Sequence, residues 1–123
     1  MPVSDQPASL WRVVFYKDSR GRSPVAGYLN MLPVTEQAAA DEAFRLLREF
    51  GLSLGLPHAR HVSGKLWELR PGASRIFYFA HVGRRFVILH AYRKQSRKTP
   101  PLELALAERR LAEVLIGGIE DER

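Results

Sequence analysis

Glu68, Arg70, Arg75, His90 and Tyr92 are spaced so that a strand meander would bring a carboxylate, two guanidiniums, an imidazole and a phenol to one side. The pairing that does so joins Arg70 to Arg75 across Pro71-Gly72-Ala73-Ser74 and closes a second hairpin on Val82-Gly83. Directly after it comes the basic run Arg93-Lys94-Gln95-Ser96-Arg97-Lys98. A carboxylate or an imidazole can take up a proton, a phenol or an ammonium can give one, and guanidinium charge holds phosphate. Together the residues describe a phosphate site. Each also has a plainer use: Glu68 serves equally to neutralise Arg70 or Arg75, His90 as a half-buried imidazole, and Tyr92 as a strand aromatic. Burying several such charges side by side is strongly unfavourable, so a partly open cleft is expected rather than an interior network.

The same segment dominates the charge. Ten of the nineteen Lys and Arg residues lie between Arg60 and Lys98 against one acid, Glu68, so a local charge of +9 sits inside a chain of net charge +6. A solvated helix face tolerates such charge, but alternate strand positions gather it into a patch that attracts phosphate. A polyanion, nucleic acid foremost, is the expected partner. A basic surface that serves only solubility is the other reading.

With 123 residues, 46% of them apolar, the chain is expected to form a single two-layer domain. It contains no Cys, which excludes disulfides, thiolate metal sites and a Cys nucleophile, and the cytoplasm is the default compartment. No apolar run approaches the roughly 20 residues of a spanning helix, and residues 1–10 do not read as a secretion signal, so no membrane partner is expected. His58 and His61 fall in a loop without a neighbouring carboxylate, and no metal or cofactor is expected.

The elements that must position the polar set are legible. Trp11 to Tyr16 is rich in β-branched and aromatic residues and should be a strand. Ser23-Pro24 starts a short helix that Pro33 stops, and Thr35 caps a longer one in which Ala40, Ala43, Phe44, Leu47 and Phe50 recur until Gly51. Residues 51–64 hold four Gly or Pro and read as a loop. Three strands follow, Lys65 to Arg70, Arg75 to His81 and Arg85 to Arg93. Thr99-Pro100-Pro101 then opens a last helix with a stripe of Leu104, Ala107, Leu111, Val114 and Leu115 before Gly117-Gly118. The order is βααβββα, an α+β fold with a four-stranded antiparallel sheet, two N-terminal helices and one C-terminal helix. Residues 1–10 are expected to be a flexible segment, 11–116 the domain and 117–123 a tail. Alternation assigns Trp67, Leu69, Ile76, Tyr78, Val87, Leu89 and Ala91 to the core face. Phe77, Phe79, Phe86 and Ile88 go with the polar set.

The succession Gly64-Lys65-Leu66-Trp67-Glu68-Leu69-Arg70, Arg75-Ile76-Phe77-Tyr78, His90-Ala91-Tyr92-Arg93-Lys94 and Lys98-Thr99-Pro100 resembles the RelE/ParE toxin superfamily, in particular its phage-derived, HigB-like branch. The likeness spans about residues 11–116. It implies a RelE-like fold and the toxin of a type II toxin-antitoxin pair, typically an endoribonuclease that enters the ribosomal A site and cuts mRNA. It also implies a small helix-turn-helix antitoxin as partner. Such an enzyme needs no metal, because the RNA 2′-hydroxyl is the nucleophile. By position, Arg75 would bind the scissile phosphate and Lys94 would act beside it. Glu68 would be the base ahead of His90, and Tyr92, His90 or Lys94 the proton donor. Lys65, Arg70, Arg93, Arg97 and Lys98 would hold flanking phosphates. The superfamily also contains gyrase poisons that cut no RNA, and a binding module without catalysis would share this composition.

Overall fold

The computed structural model describes residues 11–117. The segment expected to be flexible, residues 1–10, and the tail after Gly117 lie outside the described residues. The chain runs through β1 (Arg12–Phe15), α1 (Pro24–Asn30) and α2 (Val34–Phe50), then a 3₁₀ turn (Gly51–Ser53). It continues through β2 (Ala59–Ser63), β3 (Leu66–Leu69), β4 (Ser74–His81), β5 (Arg85–Arg93) and α3 (Pro101–Gly117).

Local chemistry accounts for the helices. Ser23 caps α1, its Oγ accepting from the Ala26 N–H at 3.1 Å, and Pro24 supplies a first turn that needs no donor. The cap of α2 is Pro33 rather than Thr35, because the Glu36 and Gln37 amides both donate to the Pro33 carbonyl. Ala40, Ala43, Phe44 and Leu47 are buried, whereas Phe50, expected to pack with them, is 49% exposed. Gly51 ends α2 at φ +57°, where an added Cβ would stand 2.6 Å from Trp11 Nε1.

The sheet differs from the expected one in two respects. It has five strands in the order β1-β5-β4-β3-β2, and β1 runs parallel to β5. The extra strand, β2, lies within the stretch read as a loop. Its sequence Ala-Arg-His-Val-Ser carries little apolar signal, and it is held as a strand by antiparallel pairing to β3, Ala59 opposite Leu69 and Arg60 opposite Glu68. The observed order is therefore βααββββα in a mixed sheet.

Register brings a third correction. In β4 and β5, Phe77 pairs with His90 but Tyr78 pairs with Ile88, leaving Leu89 as an extra residue on β5. Beyond this bulge the faces exchange. Phe86 and Ile88 join Leu69, Ile76, Tyr78 and Ala91 under α1 and α2, while Val87 and Leu89 join Phe77, Phe79 and Tyr92 on the other side. That second face is covered too, by Ala107 and Val114 of α3. Three layers result, and the polar end of the sheet beyond α3 is left for a site. Among the described residues no helix is long and apolar enough to cross a membrane.

Candidate functional site

At the end of the sheet that α3 does not close, β2, β3, β4 and β5 deliver Arg60, Glu68, Arg75 and Tyr92 to one cleft of about 440 Å³. Arg70, following β3, and Lys94, Arg97 and Lys98, following β5, complete its charged lining. Six cations thus face one carboxylate.

Glu68 is 1% exposed, and its two oxygens are treated unequally. Oε2 accepts from Arg60 Nε at 3.0 Å and Nη2 at 2.9 Å, and from Arg70 Nη1 at 2.8 Å. Oε1 is buried and has no hydrogen-bond partner among the described residues. A buried carboxylate oxygen without a donor is costly, and Glu68 is among the residues that line the cleft.

Arg75 stands directly opposite Tyr92 in the ladder. Its guanidinium donates through Nη1 to the carbonyls of Gly72 and Ser74, each at 2.8 Å, so the β3–β4 turn aims it. Ser74 is in turn hydrogen-bonded to the Tyr28 hydroxyl of α1 at 2.7 Å. Burial lowers the Arg75 guanidinium from its ordinary range, and the neighbouring Arg70 adds to this. Burial raises the Tyr92 phenol, with the Glu68 charge acting in the same direction. Tyr92 therefore remains a protonated donor at neutral pH. The cleft thus gathers a carboxylate, a phenol that can donate and fixed cations, groups suited to binding phosphate and to moving protons beside it.

Of the side chains expected at a site, Glu68, Arg70, Arg75, Tyr92, Lys94, Arg97 and Lys98 are brought together. His90 shares their face but is enclosed by α3: its Nε2 is bonded to Glu103, and Arg110 Nη1 stands 3.5 Å from its Nδ1 and donates to the Leu89 carbonyl at 2.9 Å. Burial lowers the His90 imidazole, opposed by the Glu103 carboxylate. Arg93 points to the opposite face and pairs with Glu36 of α2 at 2.6 Å. Lys65 lines a separate, apolar cavity. The residue that sequence reasoning passed over is Arg60. Its place opposite Glu68 follows from β2, and recognising Ala59 to Ser63 as a strand would have revealed it. No cluster of three or more His, Cys, Asp or Glu suited to a metal occurs among the described residues.

A search of curated proteins finds no match to this chain. The family model described as "Phage derived protein Gp49-like" matches residues 27–112, which run from α1 through most of α3 and include every strand of the cleft. That span is well over half of the chain, and the chain belongs to the phage-derived Gp49-like family of RelE-like, toxin-antitoxin-associated proteins.

Proposed function

We propose that the protein is the toxin of a type II toxin-antitoxin pair, of the HigB-like kind, and cleaves mRNA without a metal in the cleft around Glu68 and Arg75. The observation that carries this reading is the unpartnered Oε1 of a fully buried Glu68 in a cleft otherwise lined by cations. Glu68 Oε1 takes the proton of an RNA 2′-hydroxyl, whose oxygen attacks the adjacent phosphorus. Arg75 and Lys94 balance the charge that develops on the phosphoryl oxygens, and Tyr92 protonates the departing 5′-oxygen. The products are a 2′,3′-cyclic phosphate and a 5′-hydroxyl end. Arg60, Arg70, Arg97 and Lys98 hold flanking phosphates, with translating ribosomes presenting the message and a helix-turn-helix antitoxin restraining the enzyme.

Primer extension on ribosome-bound message tests this. Wild type should generate new 5′ ends, and Arg75→Ala should reduce them by about 10²- to 10³-fold, the usual loss for one transition-state charge contact. A message with 2′-deoxyribose at the cleavage position should stay intact. Intact message with wild type and inhibited gyrase supercoiling would mean a gyrase poison. Salt-sensitive RNA binding with no cleavage would mean a binding module.

A further inference from the structure

On the α2 side of the sheet lies a second cavity of about 320 Å³, walled by Leu54, Trp67, Tyr78 and Phe86. From Arg75 to Ala80, which lines this cavity, the strand runs about 16 Å. The cavity and the cleft are therefore on opposite faces and at opposite ends of β4. Two polar groups in it are unengaged. Tyr78 is 4% exposed, burial pushes its phenol well above the usual range, and its hydroxyl makes no hydrogen bond among the described residues. Lys65, the only charged side chain of the lining, has no ion pair among them. The lining is itself partly exposed at Leu52, 69% exposed, and Phe50, which precedes the lining residue Gly51, is 49% exposed.

A small ligand would fill the cavity and leave that rim in water, whereas a protein segment covers both, with an apolar centre and a charged edge. The Lys65 ammonium, with no carboxylate in the cavity lining, favours an acidic occupant. We propose that this face docks an acidic segment of a partner protein, which inserts one bulky apolar side chain between Trp67, Tyr78 and Phe86 and sets a carboxylate against Lys65. Because the cleft lies on the other face, docking leaves it open.

The probe is the peptide acetyl-Glu-Phe-Glu-Leu-Glu-amide, titrated into the full chain with the two tryptophan indole N–H signals followed by nuclear magnetic resonance. The Trp67 signal should shift saturably, and acetyl-Lys-Phe-Lys-Leu-Lys-amide should bind at least about tenfold more weakly. Lys65→Glu should reverse that preference. Ala80→Phe, placed at an exposed position of the lining, should abolish the shift while the melting temperature is unchanged. A short RNA oligonucleotide should not displace the peptide. Equal affinity for acidic and basic peptides, retained binding by Ala80→Phe, displacement by RNA, or no saturable shift at all would overturn the proposal. So would saturation by 3-phenylpropionate with none by either peptide, which would make this a small-molecule site.

Discussion

Glu68→Gln separates the structural use of the buried carboxylate from its chemical one. The amide oxygen can take the place of Oε2 and keep accepting from Arg60 and Arg70, so what is lost is the charge–charge part of three hydrogen bonds. The partner side chains are 41% and 29% exposed, and water recovers much of that loss. The amide nitrogen would replace an Oε1 that already lacks a partner. The net destabilisation should be about 1–2 kcal/mol, below the 3–5 kcal/mol of a fully buried pair broken outright. For a chain of this length that is a fall in Tm of roughly 3–6 °C per kcal/mol. The rate should fall much further, by about 10²- to 10⁴-fold, because an amide cannot take up the 2′-hydroxyl proton. Single-turnover cleavage of end-labelled message in translating ribosomes, beside urea unfolding of the same preparations, measures both. Cleavage within about threefold of wild type would remove Glu68 from the chemistry and leave it as a counter-ion.

Gly51→Ala combines a positive φ with a 2.6 Å approach to Trp11 Nε1, and should lower stability by about 1–3 kcal/mol in urea unfolding while leaving RNA affinity unchanged. His90 is held by burial below the ordinary 6.5. Its unfolded form binds a proton first as pH falls, so its contribution is full above about 6.5 and is lost progressively below it. His90→Gln should therefore flatten the acid limb of the stability profile between about pH 7 and 5, and an unchanged slope would refute this assignment. Lys98→Ala, at the edge of the cleft, should weaken RNA binding uniformly across sequences and lower the salt slope by about 0.7, measured by fluorescence anisotropy from low to moderate salt.

The parts of the fold that sequence reveals are those whose signal is local. Ser23-Pro24, the 3.6-residue recurrence of Ala40, Ala43, Phe44 and Leu47, and the stripe of Ala107 and Val114 each report their own surroundings. Glu68 and Arg75 flank the β3–β4 turn, where register is short-range, and their shared face follows from alternation, whereas Tyr92 comes opposite Arg75 only because of the bulge at Leu89. What was hidden depends on partners distant in sequence. Strand β2 exists by virtue of β3, and Arg60 reaches Glu68 only through it. The parallel seating of β1 on β5 joins residues far apart, and the extra Leu89 has no mark in composition. The enclosure of His90 depends on Glu103 and Arg110, thirteen and twenty positions further along.

Main-chain carbonyls, rather than neighbouring side chains, aim the Arg75 guanidinium, and this divides the β3–β4 turn into positions of very different freedom. Ala73 contributes no atom to that grip, and its side chain can drift among relatives without turning the cation. Gly72 sits at φ +58°, so the carbonyl it offers is aimed by a backbone shape that few other residues adopt. Across divergent chains of this fold, the glycine and the arginine would be inherited as a unit even though the glycine brings only main-chain atoms to the contact.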